Sequence, residues 1–465
     1  MIDEEEEFRD HVSTIGTDGK RIWVYAKKIA GPFFNKRQIL SYSLLAFLFA
    51  APHIIVGGHQ LLLFNILERK FIIFGKVFWP QDLYLFAFAM IIGIVFVILF
   101  TVIFGRLFCG WICPQTIFME MVFRRIEFWI EGDWTHQKKL DRQKWDWEKI
   151  RKKTLKHIIF WVISFLIANT FLAYIIGSEE LWKIQTDSIS EHVGGFISLV
   201  IFTTVFYMVF SRLREQVCTT ICPYGRLQGV LLDQNSMVVA YDYVRGEDRS
   251  KFRKDEDRAA AGKGDCIDCN QCVQVCPTGI DIRHGTQLEC VNCTACMDAC
   301  DHIMDSVGTE KGLIRIESEN GIKNGTGFQW TRRVISYTIL QGIMIIAFIA
   351  LLVTRKDFET NINRQRGTTY QTNAPGILSN IFEINLTNKT QKDYKITLEV
   401  DNPNAKIEMV VKDLTLEKES LLKERFIVIM PYSELEDGLK KITIRVMGNG
   451  KLIEEAKTNF IGPTL

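Results

Sequence analysis

Residues Leu83–Pro114 read LYLFAFAMIIGIVFVILFTVIFGRLFCGWICP. From Leu83 to Phe104 there is no charge, and a run of about 18 or more apolar residues is long enough to cross a bilayer. The bland reading, a buried helix of a large soluble protein, fails on the length and uniformity of this run. The run ends in two cysteines four positions apart, followed by proline (FCGWICP, Phe108–Pro114). The same device, VCTTICP (Val217–Pro223), closes another apolar stretch about a hundred residues later.

Working outward, five spans are expected: Ile39–Gly58, Leu83–Phe104, His157–Ile176, Val193–Phe210 and Val334–Val353. Lys and Arg bias orients them. Gly105–Lys156 carries RR, KK and RKK clusters, and Arg332 and Arg333 precede the last span, whereas GSEELWKIQTDSISEH between the third and fourth spans has one lysine and several acids. The N-terminus, the 105–156 loop and the 211–333 loop are therefore expected inside, and the tail after Val353 outside, with Trp79 and Tyr84 as interfacial aromatics. The short loop HQLLLFNILERKFIIFGKVFWPQD disagrees mildly, with three cations outside, and is apolar enough to lie along the membrane. The acidic start, MIDEEEEFRD, lacks the basic n-region and apolar core of a cleaved signal. A formal net charge of +2 over 465 residues gives no support to a nucleic-acid surface.

The chain has 12 cysteines, all in close-spaced motifs that end at Cys300. Such spacing suits metal or cluster ligation rather than long-range disulfides. Between Cys266 and Cys300 the sequence reads CIDCNQCVQVCPTGIDIRHGTQLECVNCTACMDAC, which is C-x2-C-x2-C-x3-C twice. This is the run that holds two [4Fe–4S] clusters in bacterial ferredoxins, where the fourth cysteine of each run serves the other cluster. Cys266, Cys269, Cys272 and Cys300 are thus the expected ligands of the first cluster, and Cys290, Cys293, Cys296 and Cys276 those of the second. Pro277 forces Cys276 out of helix and turns the chain toward the second site. A zinc ribbon would instead keep paired knuckles well apart.

In FCGWICP the two thiols lie one above the other on a helix face, with Cβ atoms roughly 5–6 Å apart, too far for a disulfide, which wants about 3.8 Å. Proline breaks the helix at the second cysteine and opens the next one. Cys109, Cys113, Cys218 and Cys222 are then at one depth, and they form a four-sulfur site if the second and fourth spans are neighbours. Such a site suits Cu(I), zinc or an iron–sulfur cluster; a redox-active dithiol and four small packed residues are the competing readings. His53, His59 and His192 lie toward the outer face, where imidazoles could pass copper or bind haem, but polar packing or an interfacial place is the favoured reading of each; His157, His284 and His302 read the same way.

Beyond Phe358 the pattern changes to period-two alternation in IFEINLTN, YKITLEV, IEMVV, ERFIVIM, KITIRVM and KLIEEAKTNF, with a GNG turn between the last two. Six or seven short strands match an immunoglobulin-like sandwich. The expected organisation is a cytoplasmic segment 1–38, a four-helix membrane region 39–210 holding the motif at 109–114, a cytoplasmic loop 211–333 with the motif at 218–223 and a ferredoxin-like domain at about 257–310, a fifth span 334–353, and an outer domain 354–465.

Together these motifs resemble the cytochrome c oxidase accessory protein family, CcoG, also called FixG or RdxA. The resemblance is carried by RKFIIFGKVFWPQD, FCGWICPQT, VCTTICPYGRLQG, CIDCNQCVQVCPTGIDIRHG, LECVNCTACMDACD and NIFEINLTNKT, and by Asp301 after Cys300; PHIIVGGHQLLLFNI departs from the family's usual wording. It implies a multi-pass protein of the bacterial inner membrane, N-terminus cytoplasmic and C-terminus periplasmic, needed to assemble a cbb-type haem–copper oxidase. It further implies a cupric reductase: electrons pass from a cytoplasmic donor through the two clusters to Cys109, Cys113, Cys218 and Cys222, which bind copper and reduce Cu(II) to Cu(I). The periplasmic domain would meet the oxidase or its copper chaperones. Two alternatives stand beside it: a polyferredoxin-type quinol dehydrogenase, which would not be expected to carry the outer sandwich, and a non-enzymatic assembly scaffold.

Overall fold

The structure is a computed structural model that describes residues 13–463 apart from 17, 67–69, 79–81, 255, 259, 366, 368, 391, 412, 413 and 419. MIDEEEEFRD, read above as no cleaved signal, and Trp79, read as an interfacial aromatic, lie outside the described residues. The chain divides into two compact units, one of residues up to Gly75 with Phe86–Ala347, the other of Lys76–Leu85 with Phe348–Leu465.

In the first unit the charge-free runs are helices. Four helices are long and apolar enough to cross a membrane: Leu83–Phe104, Trp147–Ile176, Val193–Leu213 and Arg332–Val353. Their outward side chains are apolar, with Ile94 57%, Ile201 55% and Ile346 70% exposed, as a lipid-facing surface requires. Phe123 stacks on Phe210 at 4.4 Å between ring centres and meets Phe160 edge to face, and Phe206 stacks on Phe210, knitting the unit together.

The expected first span, Ile39–Gly58, is corrected. The helix runs Pro32–Ala50, and it is not among the four long apolar helices. Pro52 then sits in a single 3-10 turn, and the chain reverses in an antiparallel pair, Ile55↔Gln60 and Val56↔His59. The reversal turns on Gly57 and Gly58, at φ 62 and 86, a region glycine enters at little cost. The apolar stretch that follows is a second hairpin, Leu62–Asn65 against Lys70–Ile73. Composition alone does not separate such a hairpin from the outer end of a helix.

The start of Pro32–Ala50 is fixed by the cysteine-rich insert. Asp298 accepts from the backbone N–H of Phe33 at 3.1 Å and of Phe34 at 2.7 Å, so a carboxylate caps the positive end of the helix. The insert is built on a two-stranded sheet, Val238–Tyr241 with Ile314–Glu317, and the helix Ala295–Val307. Its folded part therefore begins earlier than the expected residue 257.

In the second unit, Phe358–Arg364, Gln371–Ala374, Ile377–Asn388, Lys406–Met409 and Leu421–Pro431 form one antiparallel sheet, and Tyr394–Val400, Leu414–Leu416, Leu439–Gly448 and Lys451–Ile461 form the other. Phe382, Phe426, Ile444, Val446 and Phe460 are fully buried between them. The GNG hairpin is present, with Asn449 and Gly450 at φ 50 and 78, as a type I′ turn demands. Asp82, 1% exposed, is held by Arg355 and Lys389, each at 2.7 Å.

Candidate metal centres

The insert encloses two cavities. The first, with about 360 Å³ of atom-free space, is lined by Cys266, Cys269, Cys272 and Cys300. The second, of about 350 Å³, is lined by Cys276, Cys290, Cys293 and Cys296, with Cys272 at its edge. The fourth cysteine of each run has thus crossed to the other run's cavity. The backbone explains how three cysteines can face one space. The residues on either side of the middle cysteine are left-handed in both runs: Asp268 and Asn270 at φ 50 and 57, Asn292 and Thr294 at φ 50 and 63. Alternating handedness turns successive N–H groups into one concavity, an arrangement that receives anions and iron–sulfur groups. Burial pushes the thiols of Cys272, Cys290 and Cys300 up to about 12 and that of Cys293 up to about 11. They ionise readily only when a cationic group takes their charge. The residues therefore fit two cubane clusters.

The two CxxxCP motifs meet. Leu107–Trp111 is a short helix, Cys113 leaves helical geometry at ψ 123, and Pro114 opens the next helix at its first position. In the second copy Cys218 lies on a widened π turn, Val217–Ile221, Cys222 is extended at ψ 115, and Pro223 opens Pro223–Leu231. Gln228 donates to the Cys109 sulfur at 3.2 Å, and the Phe108 and Tyr224 rings meet edge to face at 6.5 Å. Cys109, Cys113, Cys218 and Cys222 are each partly buried, and the thiols of Cys109, Cys113 and Cys218 are pushed up. Burial is the larger cause, taking Cys109 to about 11 and Cys218 to about 12, while N–H groups of Gln115 and Thr116 at the helix start oppose it at Cys113. Among the described residues, three metal-ligating atoms come within 4.8 Å of one another only at Asp187, Glu191 and His192, on a loop. The four membrane thiols are spaced more widely, so gripping one ion with three or four of them requires them to draw together.

Sequence reasoning missed the residues that join these centres. Arg106, directly before the first motif, is 4% exposed; it donates to the Leu288 carbonyl, and to that of Gly225 at 2.5 Å. Arg37, 2% exposed, donates to the Gly110 carbonyl at 2.7 Å. Around them runs a buried ionic chain: Arg124 with Glu120 at 3.1 Å and Glu215 at 3.9 Å, Arg214 with Glu127, and Lys156 with Glu127 at 3.5 Å and Glu131 at 2.8 Å. Arginines at the end of an apolar run carry a signal, but it reads first as membrane orientation. His192 pairs with Asp187 at 3.2 Å, and His157 with Tyr207 at 3.0 Å.

Comparison with known proteins agrees with this architecture. The family described as a 4Fe–4S dicluster domain matches residues 213–319, that of a 4Fe–4S binding domain matches 86–137, and the immunoglobulin-like fold at the C-terminus of FixG matches 348–463. Two relatives from Cereibacter sphaeroides, Protein RdxB and Protein RdxA, are each 33% identical; the alignments cover 82% and 81% of this chain and 82% of each relative. Nitrogen fixation protein FixG of Rhizobium meliloti is 28% identical over 95% of this chain and 94% of its own. Fold and site define a membrane protein of the iron–sulfur electron-transfer class with an immunoglobulin-like C-terminal domain. Within that class, the chain belongs to the FixG/RdxA family.

Proposed function

We propose that this protein is a cupric reductase of the bacterial inner membrane, serving the assembly of a cbb-type cytochrome c oxidase. A [4Fe–4S] cluster, when bound, supplies reversible one-electron chemistry with little rearrangement. Cys266, Cys269, Cys272 and Cys300 would hold the first, and Cys276, Cys290, Cys293 and Cys296 the second. Cu(II) is the substrate, taken up at Cys109, Cys113, Cys218 and Cys222. Soft sulfur donors favour Cu(I) over Cu(II), so reduction and capture at one place reinforce each other. The cysteine-rich insert faces the cytoplasm and a soluble electron donor. The C-terminal sandwich faces the periplasm, where it would meet the oxidase or a copper chaperone.

The observation that carries this reading is the meeting of both CxxxCP motifs, through Cys109–Gln228 and Phe108–Tyr224, beside the insert's second cavity. The test is anaerobic. Purified protein is reduced with dithionite, freed of excess reductant, and mixed with Cu(II) or with a quinone analogue while visible absorbance is followed. Reoxidation by Cu(II) supports the reductase. Reoxidation by the quinone alone makes the protein a quinol dehydrogenase, and reoxidation by neither makes it a scaffold.

A further inference from the structure

We infer that the second cavity, not the first, is the exit of the insert toward the membrane thiols, and that Arg106, seconded by Arg37, is the positioning residue that couples this cavity to Cys109. The inference rests on the proposed electron-transfer function.

Three contacts carry it. The turn holding the first cysteine pair touches the loop holding Cys290 and Cys293 backbone to backbone: a Cβ on Gly110 would lie 2.4 Å from the Val291 oxygen and 2.9 Å from that of Asn292. Gly105 approaches the same loop, its Cβ position 3.1 Å from the Asn292 amide nitrogen. Arg106 then ties three segments with one guanidinium, through Leu288 just before Cys290 and through Gly225 just after Cys222. Its charge acts on both Cys109 and Cys290, and that of Arg37 acts on Cys293.

Each guanidinium keeps one buried nitrogen without a partner among the described residues, Nε of Arg106 and Nη2 of Arg37. A buried unpaired donor is costly unless it faces an acceptor or a negative charge. Cys276, Cys290, Cys293 and Cys296 would supply that charge as thiolates holding a cluster in the second cavity. Glu120 and Arg124 also act there, on Cys293 and Cys276 respectively, but pair with each other at 3.1 Å.

The first cavity is arranged differently. Its lining residues Tyr241 and Arg283 also line an open cleft with about 1380 Å³ of atom-free space, with Tyr243, His284 and Glu319. Arg283 is neutralised by Asp281 and Asp268, each at 2.6 Å, while Arg258, beside Cys266, gives its donors to the backbone carbonyls of Ser250, Gly264 and Cys266. The first cavity faces the cleft, where a donor can approach, and the second faces the membrane thiols. Per turnover one electron enters from the reductant and one Cu(II) becomes Cu(I); no bond to a protein atom is broken.

The test is a potentiometric titration followed by electron paramagnetic resonance on the full chain in detergent, reading both cluster signals. The second cluster's signal is identified by its loss in Cys293→Ser. Arg106→Gln is expected to lower the midpoint of that cluster alone, with Arg106→Lys restoring most of the shift. Arg37→Gln should move the same midpoint, which keeps the test open if Arg106→Gln does not fold. An unchanged midpoint, or a shift confined to the other cluster, overturns the inference. Failure of the wild type to be reoxidised by Cu(II) is a separate result, which overturns the proposed function and leaves the titration to decide the coupling.

Discussion

Gly110 and Val291 lie so close that a single methyl group would not fit between them, since a Cβ on Gly110 would sit 2.4 Å from the Val291 carbonyl oxygen. Gly110 has ordinary helical surroundings, and alanine there would otherwise favour helix by up to about 1 kcal/mol. Gly110→Ala is therefore expected to destabilise the first unit by about 1–3 kcal/mol through overpacking. Thermal unfolding of the purified protein measures this, and a stabilised variant would show that the two backbones do not meet.

Cys276 lies in the first run yet lines the cavity of Cys290, Cys293 and Cys296. Cys276→Ser is expected to cut bound iron from about eight to about four atoms per chain and to remove the same resonance signal as Cys293→Ser. Cys300→Ser, although in the second run, should remove the signal lost in Cys269→Ser.

Glu127 is 3% exposed. Burial alone would raise its pKa, but Arg214 and Lys156, with Arg124 behind them, outweigh this and hold it below the usual carboxylate range. Removing one partner of such a set leaves uncompensated buried charge, so Glu127→Ala should cost about 3–5 kcal/mol. A depressed carboxylate contributes stability that is present above its unfolded pKa and lost as pH falls through the folded one. The wild type should therefore lose stability on acidification below the ordinary carboxylate range, and Glu127→Gln should lose less. Unfolding midpoints measured across that range decide it.

The orientation is checked by protease sites inserted after Lys144 and after Ser190. Cleavage in intact spheroplasts is expected only after Ser190, and after Lys144 only once the membrane is broken. The reverse pattern would invert the topology.

Much of this was legible in one dimension. Leu83–Phe104 shows its helix by lacking charge, the two cysteine runs show their cavities by spacing and crossing, and GNG shows its hairpin. Ile39–Gly58 misleads because an apolar hairpin and a helix end use the same residues, and only Pro52, Gly57 and Gly58 distinguish them. The strand Phe358–Arg364, FETNINR, has too few apolar residues to show its alternation, and its pairing with Phe382–Asn388 makes it a strand. Arg37 and Arg106 could not be read as partners, because Gly110, Leu288 and Gly225 come together only in the folded chain.

The central claim is that electrons from the insert reach substrate at the membrane thiols. Its most direct measurement compares wild type with the Cys109→Ser, Cys113→Ser double variant in anaerobic stopped flow against Cu(II), after resonance spectra show both clusters present in each. Rapid reoxidation of the wild type, with the variant slow and unable to retain Cu(I), is the predicted result. Equal rates in the two proteins would place copper reduction elsewhere and contradict the account.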